Sequence, residues 1–223
     1  MNTSLEVKSL TYHRGGKLLF SNLNFKVESG TVLTIKGPNG VGKSTLLRII
    51  AGYIPIEKGA VFFNETNVKK DFEILSKQLC YLSHQNALKS QLTVSENLYF
   101  WQKFLNNKQN KVTEKFEVKE LLTQLAGECS AGQKQRARLA TFLDHNRKVW
   151  ILDEPATALD TSSMKELSKL IEIHCSLGGI VILATHIDLI LSCDKTLLLK
   201  FPNFSEKNNF ITSDPFLDGD WNE

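Results

Sequence analysis

Gly37-Pro38-Asn39-Gly40-Val41-Gly42-Lys43-Ser44 decides the fold of this chain. The stretch fits the pattern G-x-x-x-x-G-K-S, and Thr45 follows it. Glycines let a backbone wrap closely around phosphates, so that successive N–H groups point inward. The Lys43 ammonium adds a point charge for the outer phosphates of a nucleoside triphosphate. The Ser44 hydroxyl is a hard oxygen ligand suited to Mg²⁺. The flanks match what the motif demands. Residues 31–36 are rich in β-formers and run straight into the loop. Residues 44–51 read as a helix, whose positive N-terminal end faces the same phosphates. A strand, a glycine loop and a helix begin an α/β unit.

The matching half of such a site is Val149-Trp150-Ile151-Leu152-Asp153-Glu154-Pro155. An apolar strand there delivers Asp153 to hold Mg²⁺ and Glu154 to activate the attacking water. Two adjacent acids alone are equally compatible with a plain strand end. Beside a phosphate loop they define a P-loop nucleoside triphosphatase.

Outward from these two stretches, strands are expected around Leu5, Val7 and Leu10, and over residues 18–27, 59–64 and 78–83. Thr93-x-x-Glu96 is a capping box that starts a helix ending near Leu105. Val118, Leu121, Leu122 and Leu125 fall on one helical face, so residues 86–145 read as a helical insertion. A helix is expected over 164–175, with Leu167, Leu170, Ile171 and His174 on one face. A buried strand follows over 179–185, then a short helix, then a strand over 195–201. Strands alternating with helices imply a mostly parallel sheet covered on both faces. The tail, 202–223, carries Glu206, Asp214, Asp218, Asp220 and Glu223 against Lys207, with Phe204, Phe210, Phe216 and Trp221 spaced along it. Two readings stay open there: an extension packed on its own domain, and a docking segment.

Composition bounds the function. Twenty-seven basic against 24 acidic residues, a net charge of +3 in 223 residues, is too balanced for a nucleic-acid footprint. Cysteines 80, 129, 175 and 193 form no C-x-x-C pair, so they read as free thiols of a reducing compartment. No run reaches the ~18 apolar residues of a spanning helix. Glu6 and Lys8 interrupt any signal-peptide pattern. Membrane association is therefore expected through a partner.

Cys129-Ser130-Ala131-Gly132-Gln133, ahead of a basic helix and the Asp153 strand, resembles the L-S-G-G-Q signature of ABC ATPases. Taken alone, Ser130-x-x-Gln133 is an ordinary capping box. The other motifs of that family stand in order. Tyr12 matches the aromatic that stacks on adenine, with a plain surface tyrosine as the other reading. Gln85 matches the glutamine that senses Mg²⁺ and couples to the membrane subunit. Ala158-Leu159-Asp160 matches the loop after the catalytic acid, and His186 the histidine that contacts the γ phosphate. The resemblance spans about residues 5–200. It departs at Cys129, where the family usually has Leu, and in the short connection between Gln85 and Ser130.

What the resemblance implies is an α/β P-loop NTPase of ABC type. Its mostly parallel core would carry an N-terminal antiparallel β part and a helical subdomain, all within residues 1–201. ATP and Mg²⁺ are the implied cofactors. Two copies would close head to tail around two ATP molecules. Gly37 to Ser44 and Thr45 of one copy would hold the phosphates. Ser130, Gly132 and Gln133 of the other would contact the γ phosphate across the interface, and Asp160 is implied among the ATP-binding residues. Lys43, Gln85, Glu154 and His186 would carry the hydrolysis, with Ser44, Gln85 and Asp153 around the metal. Integral membrane permease subunits are the implied partners. That places the chain peripherally on the cytoplasmic face of an inner membrane, or on the matrix side in an organelle.

Trp150-Ile151-Leu152-Asp153-Glu154-Pro155 with Ser130-Ala131-Gly132-Gln133 resembles the ATPases of cytochrome c maturation haem-exporter complexes, and so do Gly178-Gly179-Ile180-Val181-Ile182-Leu183-Ala184-Thr185-His186, the segment Leu197-Leu198-Leu199-Lys200-Phe201-Pro202 and the short length. No C-x-x-C-H context marks a haem ligand in this chain itself. The other readings are the ATPase of another small exporter, and a soluble ABC ATPase. The absence of long coiled-coil insertions and of a second cassette weighs against the latter.

Overall fold

The computed structural model describes residues 3–84, 87–104, 116–143, 147–192 and 194–202. Gln85 and the tail beyond 202 lie outside the described residues. Two sheets form the frame. The first is antiparallel: β1 (Ser4–Arg14) pairs with β2 (Lys17–Glu28) on one side and β4 (Lys58–Phe63) on the other. β5 (Thr66–Asn67) extends β4. The second sheet is parallel throughout. Its order is β6 (Leu79–Leu82), β7 (Val149–Asp153), β8 (Ile180–Ala184), β3 (Val32–Lys36), β9 (Asp194–Leu198).

β7 and β8 are buried at every position. Both faces of these strands are covered, so a continuous apolar run suits them better than alternation. Alternation still sorts their side chains. Val149, Ile151, Ile180 and Ile182 face a core shared with α1 (Lys43–Ile50) and the antiparallel sheet. Trp150, Leu152, Val181 and Leu183 face a second core with α5 (Thr161–Ser176) and the helical part. Each fully buried Ile, Leu or Val there contributes roughly 1.5–3 kcal/mol.

The helical part contains α3 (Val94–Phe104) and α4 (Ala131–Leu143). The Thr93 capping box forms as expected: Thr93 N donates to Glu96 Oε2 at 2.8 Å, and Glu96 N to Thr93 Oγ1 at 3.2 Å. The helix expected through Val118 to Leu125 does not form. Only a single 3-10 turn, Val118–Leu121, is present. The reason is a competing set of partners. The Leu122 and Gln124 carbonyls accept from Ser95 N and Val94 N, the otherwise unpartnered N–H groups that open α3. Ala126 N donates in turn to Leu92 O.

The short helix expected after β8 is also absent among the described residues, 186–192. Thr185 Oγ1 accepts from Ile187 N at 3.0 Å, a local turn that competes with helix initiation. Ser192 is then anchored to Glu172 of α5. A short helix, α2 (Phe72–Ser76), and the β4–β5 pairing were not anticipated from the sequence.

The expected apolar face of α5 is present, with one variation. Leu167, Leu170 and Ile171 are buried, while His174 stacks on Trp150 with ring centroids 4.0 Å apart. Gly179 must stay small, since a Cβ there would lie 2.1 Å from His174 Nε2. Burial pushes the His174 imidazole down to about 4, from an ordinary 6.5. The unfolded chain therefore binds the proton more tightly. Stability from this group is complete above about pH 6.5 and is lost as pH falls toward 4, by up to about 3 kcal/mol. His174→Phe keeps the stack and removes the titration. Thermal unfolding between pH 7 and 4 should show a shallower loss of Tm in that variant than in the parent.

Candidate functional site

Strand order assembles the site. β3 ends in the glycine loop, β8 in Thr185-His186 and β7 in Asp153-Glu154, and these strands are neighbours. Ala184 of β8 lies level with Ile35 on one side and Asp153 on the other. β6, next to β7, leads into Ser83-His84 and the segment holding Gln85. Four loops thus leave the same edge of one parallel sheet, where ligands of such sheets bind.

The loop before α1 is held by its own lysine. Lys43 Nζ donates to the Gly37 carbonyl at 2.8 Å and the Pro38 carbonyl at 3.3 Å. It also lies 3.0 Å from His186 Nε2. Gly37 has φ 152°, and a Cβ there would come within 2.5 Å of the Leu199 carbonyl. Only glycine lets the strand after β3 pass so close to the chain leaving β9. Gly42 caps α1 with φ 109° and no side-chain acceptor, so the first N–H groups of the helix are available to an anion.

Ser44 Oγ donates to Asp153 Oδ1 at 3.0 Å. Asp153 is 2% exposed, and its Oδ2 has no hydrogen-bond partner among the described residues. A buried, half-partnered carboxylate beside a hydroxyl is a donor set of hard oxygens, and it fits Mg²⁺. Glu154 follows with φ 52°, a left-handed backbone that costs a side-chain-bearing residue about 1–2 kcal/mol. That turn swings its carboxylate toward β8. Glu154 Oε2 accepts from His186 N at 3.3 Å, and Oε1 lies 3.5 Å from His186 Nε2.

Asn39, Gly40, Gly42, Lys43, Ser44, Thr45, Glu154 and His186 line one open cavity of about 810 Å³. Arg14, Gly15 and Lys17 at the β1–β2 turn also line it, as does Leu19 of β2, which lies beside Gly42. Tyr12 does not line it. Its ring packs on Phe20 instead, 6.2 Å between centroids. His84 and Thr157 do line it, and sequence reasoning passed over both. Their signal was adjacency: one precedes Gln85, the other follows Glu154 by three positions.

Ser130, Gly132, Gln133 and Asp160 are not brought to Lys43. They line a separate cavity of about 140 Å³ with Arg136, Ala158 and Leu159. Ser130 and Gln133 form a reciprocal cap on α4, with Gln133 Oε1 accepting from Ser130 N at 2.7 Å. Gly132 sits so close to the Ala158 carbonyl that a Cβ would approach it to 2.7 Å. Asp160 caps α5 by accepting from Ser163 N at 2.7 Å, which holds its carboxyl below the usual range. Cys129 is buried at the head of this segment, acting as a small hydrophobe, and burial raises its thiol pKa.

Comparison with known proteins agrees with this geometry. A family model described as ABC transporter matches residues 20–157. The cytochrome c biogenesis ATP-binding export protein CcmA of Aliivibrio fischeri is 38% identical over 200 residues, covering 86% of this chain and 96% of that protein. The protein of the same description from Vibrio parahaemolyticus is 40% identical over 205 residues, covering 88% and 98%. Among solved structures, CbiO1 of Clostridium perfringens, part of an ABC transporter complex, superposes with a TM-score of 0.71 at 29% identity, covering 88% of this chain and 84% of that one. With its phosphate loop, its paired acids and its signature cap on one parallel-sheet scaffold, the chain belongs to the ABC transporter family, as an ATP-binding subunit.

Proposed function

We propose that the chain is the ATP-hydrolysing subunit of a membrane export complex of cytochrome c biogenesis, powering haem export or release of haem from its carrier. The observation that carries the hydrolytic half is the convergence of Lys43, Ser44, Glu154 and His186 on one cavity, with buried Asp153 bonded to the Ser44 hydroxyl. The export half rests on the relatives named for that role.

In this reading the glycine loop and the opening N–H groups of α1 bind the ATP phosphates, and Lys43 leaves its carbonyl partners for them. Ser44 and Asp153 would hold Mg²⁺, and the family resemblance implies Gln85 as a further contact to it. The metal supplies charge neutralisation on the phosphates. Glu154 accepts the proton of the attacking water, and His186 holds that water and the γ phosphate in line. The products are ADP and phosphate.

The separate Ser130 cavity favours a two-copy assembly. The capped N-terminus of α4 presents a hydroxyl, N–H groups and a positive helix end at the surface. A second copy, closing head to tail, would bring it to the γ phosphate held by the first. ATP binding then closes the dimer and hydrolysis opens it.

An exposed aromatic cluster on α3 supports a permease partner. Tyr99 and Phe104 are 60% and 71% exposed, with Phe100 and Trp101 packed against Phe104. No helix among the described residues is long and apolar enough to cross a membrane. The chain would sit peripherally on the cytoplasmic or matrix face.

Lys43→Ala should weaken nucleotide binding by about 10-fold or more, since a charge-assisted phosphate contact is lost. Undiminished ATP affinity by calorimetry would remove the phosphate-loop assignment. Glu154→Gln should retain ATP affinity, lose about 100-fold or more in turnover, and accumulate as a dimer in MgATP. A strictly monomeric Glu154→Gln in the presence of the membrane partners contradicts the two-copy mechanism. The export reading is tested by tagging the chain and identifying what co-purifies from detergent-solubilised native membranes. Multi-span subunits that handle haem or apocytochrome are expected, whereas a different permease moves the substrate and a wholly soluble catch rejects the transporter role.

A further inference from the structure

Arg138 lies inside α4, buried to 7% exposure, at a position no nucleotide contact explains. Its guanidinium spans two segments. One NH₂ group donates to the Ser83 carbonyl, two residues before Gln85, and the other to Gln135 Oε1 at 2.8 Å. Accepting through its oxygen fixes which way the Gln135 amide faces. Its Nε2 then donates to the Pro155 carbonyl at 2.6 Å. Pro155 follows Glu154, whose backbone stands at φ 52°, and Ala158 beyond it stands at φ 63°. A left-handed conformation at residues with side chains persists only where surroundings over-determine it. On one side the clamp is Glu154 N donating to Ala184 O at 2.8 Å. On the other side it is Gln135. His84, Glu154, Gln135 and Arg138 also line one small cavity, so the strut runs beside the carboxylate.

We propose that Arg138 is a positioning residue for the Glu154 carboxylate. It acts through Gln135 to hold the strained Glu154–Pro155 turn, and it ties that turn to the segment leading to Gln85. The proposal rests on Glu154 being the base of the hydrolytic reaction. Arg138 touches neither nucleotide nor water in this scheme. Because α4 begins at Ser130, movement of that end would reach the turn through the same two side chains.

Three variants of the full chain test this. Arg138→Leu removes both bonds and fills the space. Arg138→Lys keeps the charge but not the two-way fork, and should recover part of the loss. Gln135→Glu separates positioning from mere support of the fold. A carboxylate pairs with the Arg138 guanidinium more strongly than the amide does, yet has no hydrogen to donate to Pro155 O. Both Arg138→Leu and Gln135→Glu should lower kcat about 10- to 100-fold, as displaced catalytic groups do. KM for ATP should stay within about twofold of the parent. Amide exchange should rise in a peptide covering 153–159 and not in one covering 37–50. Parental kcat and parental exchange in Gln135→Glu would overturn the proposal. So would a loss of exchange protection spread through the whole chain, which would make the strut a fold element alone. If the parent itself turns over no MgATP, the hydrolytic reading fails instead, and the exchange comparison still decides whether the strut holds the turn.

Discussion

Everything at this site depends on β8 being paired on both sides. β8 runs parallel to β3 and to β7, with Ala184 level with Ile35 and Asp153. That single register brings the glycine loop, the paired acids and His186 to one edge, although the loop lies more than 100 residues before the other two in the chain. A one-residue slip would turn Asp153 from the Ser44 hydroxyl toward the opposite core. Register is secured by burial: every residue of β7 and β8 is covered, and each alternate set belongs to a different core. The antiparallel sheet has no catalytic side chain of its own among the described residues. It covers α1 and brings the β1–β2 turn to the cavity.

On this frame the site concentrates its costs. Lys43 is 8% exposed and its charge is satisfied by carbonyls rather than a carboxylate. Carbonyl dipoles hold an ammonium less firmly than an ion pair would, which leaves it free to exchange them for phosphate oxygens. Asp153 keeps one buried oxygen without a partner. Glu154 stands in an unfavourable backbone region. None of these is the choice a stability-driven sequence would make. The phosphates of a bound nucleotide would meet the Lys43 charge, and in the proposed site a hard cation would meet the Asp153 oxygen, so local cost and proposed binding energy fall on the same few residues.

The fold was legible wherever a local signal had no competitor. The glycine loop, the apolar strand at 149–153 and the Thr93-x-x-Glu96 box each carry their cause within a few residues. The failures share one origin. Val118, Leu121, Leu122 and Leu125 have helical spacing, yet the carbonyls of Leu122 and Gln124 are claimed by the start of α3, about 30 residues earlier in the chain. After β8, Thr185 offers its hydroxyl to Ile187 before a helix can nucleate. Periodicity reports which side chains want to be buried together, and it is silent on where backbone groups find partners. The site follows the same rule. Lys43, Ser44, Asp153, Glu154 and His186 were readable because each sits at the end of a strand or the start of a helix. Spacing alone could not say where the Tyr12 ring lies, and in this structure it packs on Phe20. Arg138 was invisible, since a basic residue in a basic helix gives no sign that it is buried.

The two cavities are the structural ground for the proposed two-copy assembly. Lys43 and Ser130 occupy separate walls, and nothing in the fold of one copy brings them together. Yet both are built to meet an anion: one by a glycine loop and a lysine, the other by a capped helix start held against Ala158. A single nucleotide offers its outer phosphate to only one of them within the chain. In the proposed two-copy assembly the second would meet the nucleotide of another copy. Linkage would then require that the helix capped by Ser130 and the turn bearing Glu154 respond to one another, because each nucleotide would be read by both. In this chain that link is short and made of hydrogen bonds, from α4 through Gln135 to the Pro155 carbonyl. In the two-copy scheme proposed above, closure on one nucleotide would thereby be felt at the carboxylate proposed to activate the water that attacks the other.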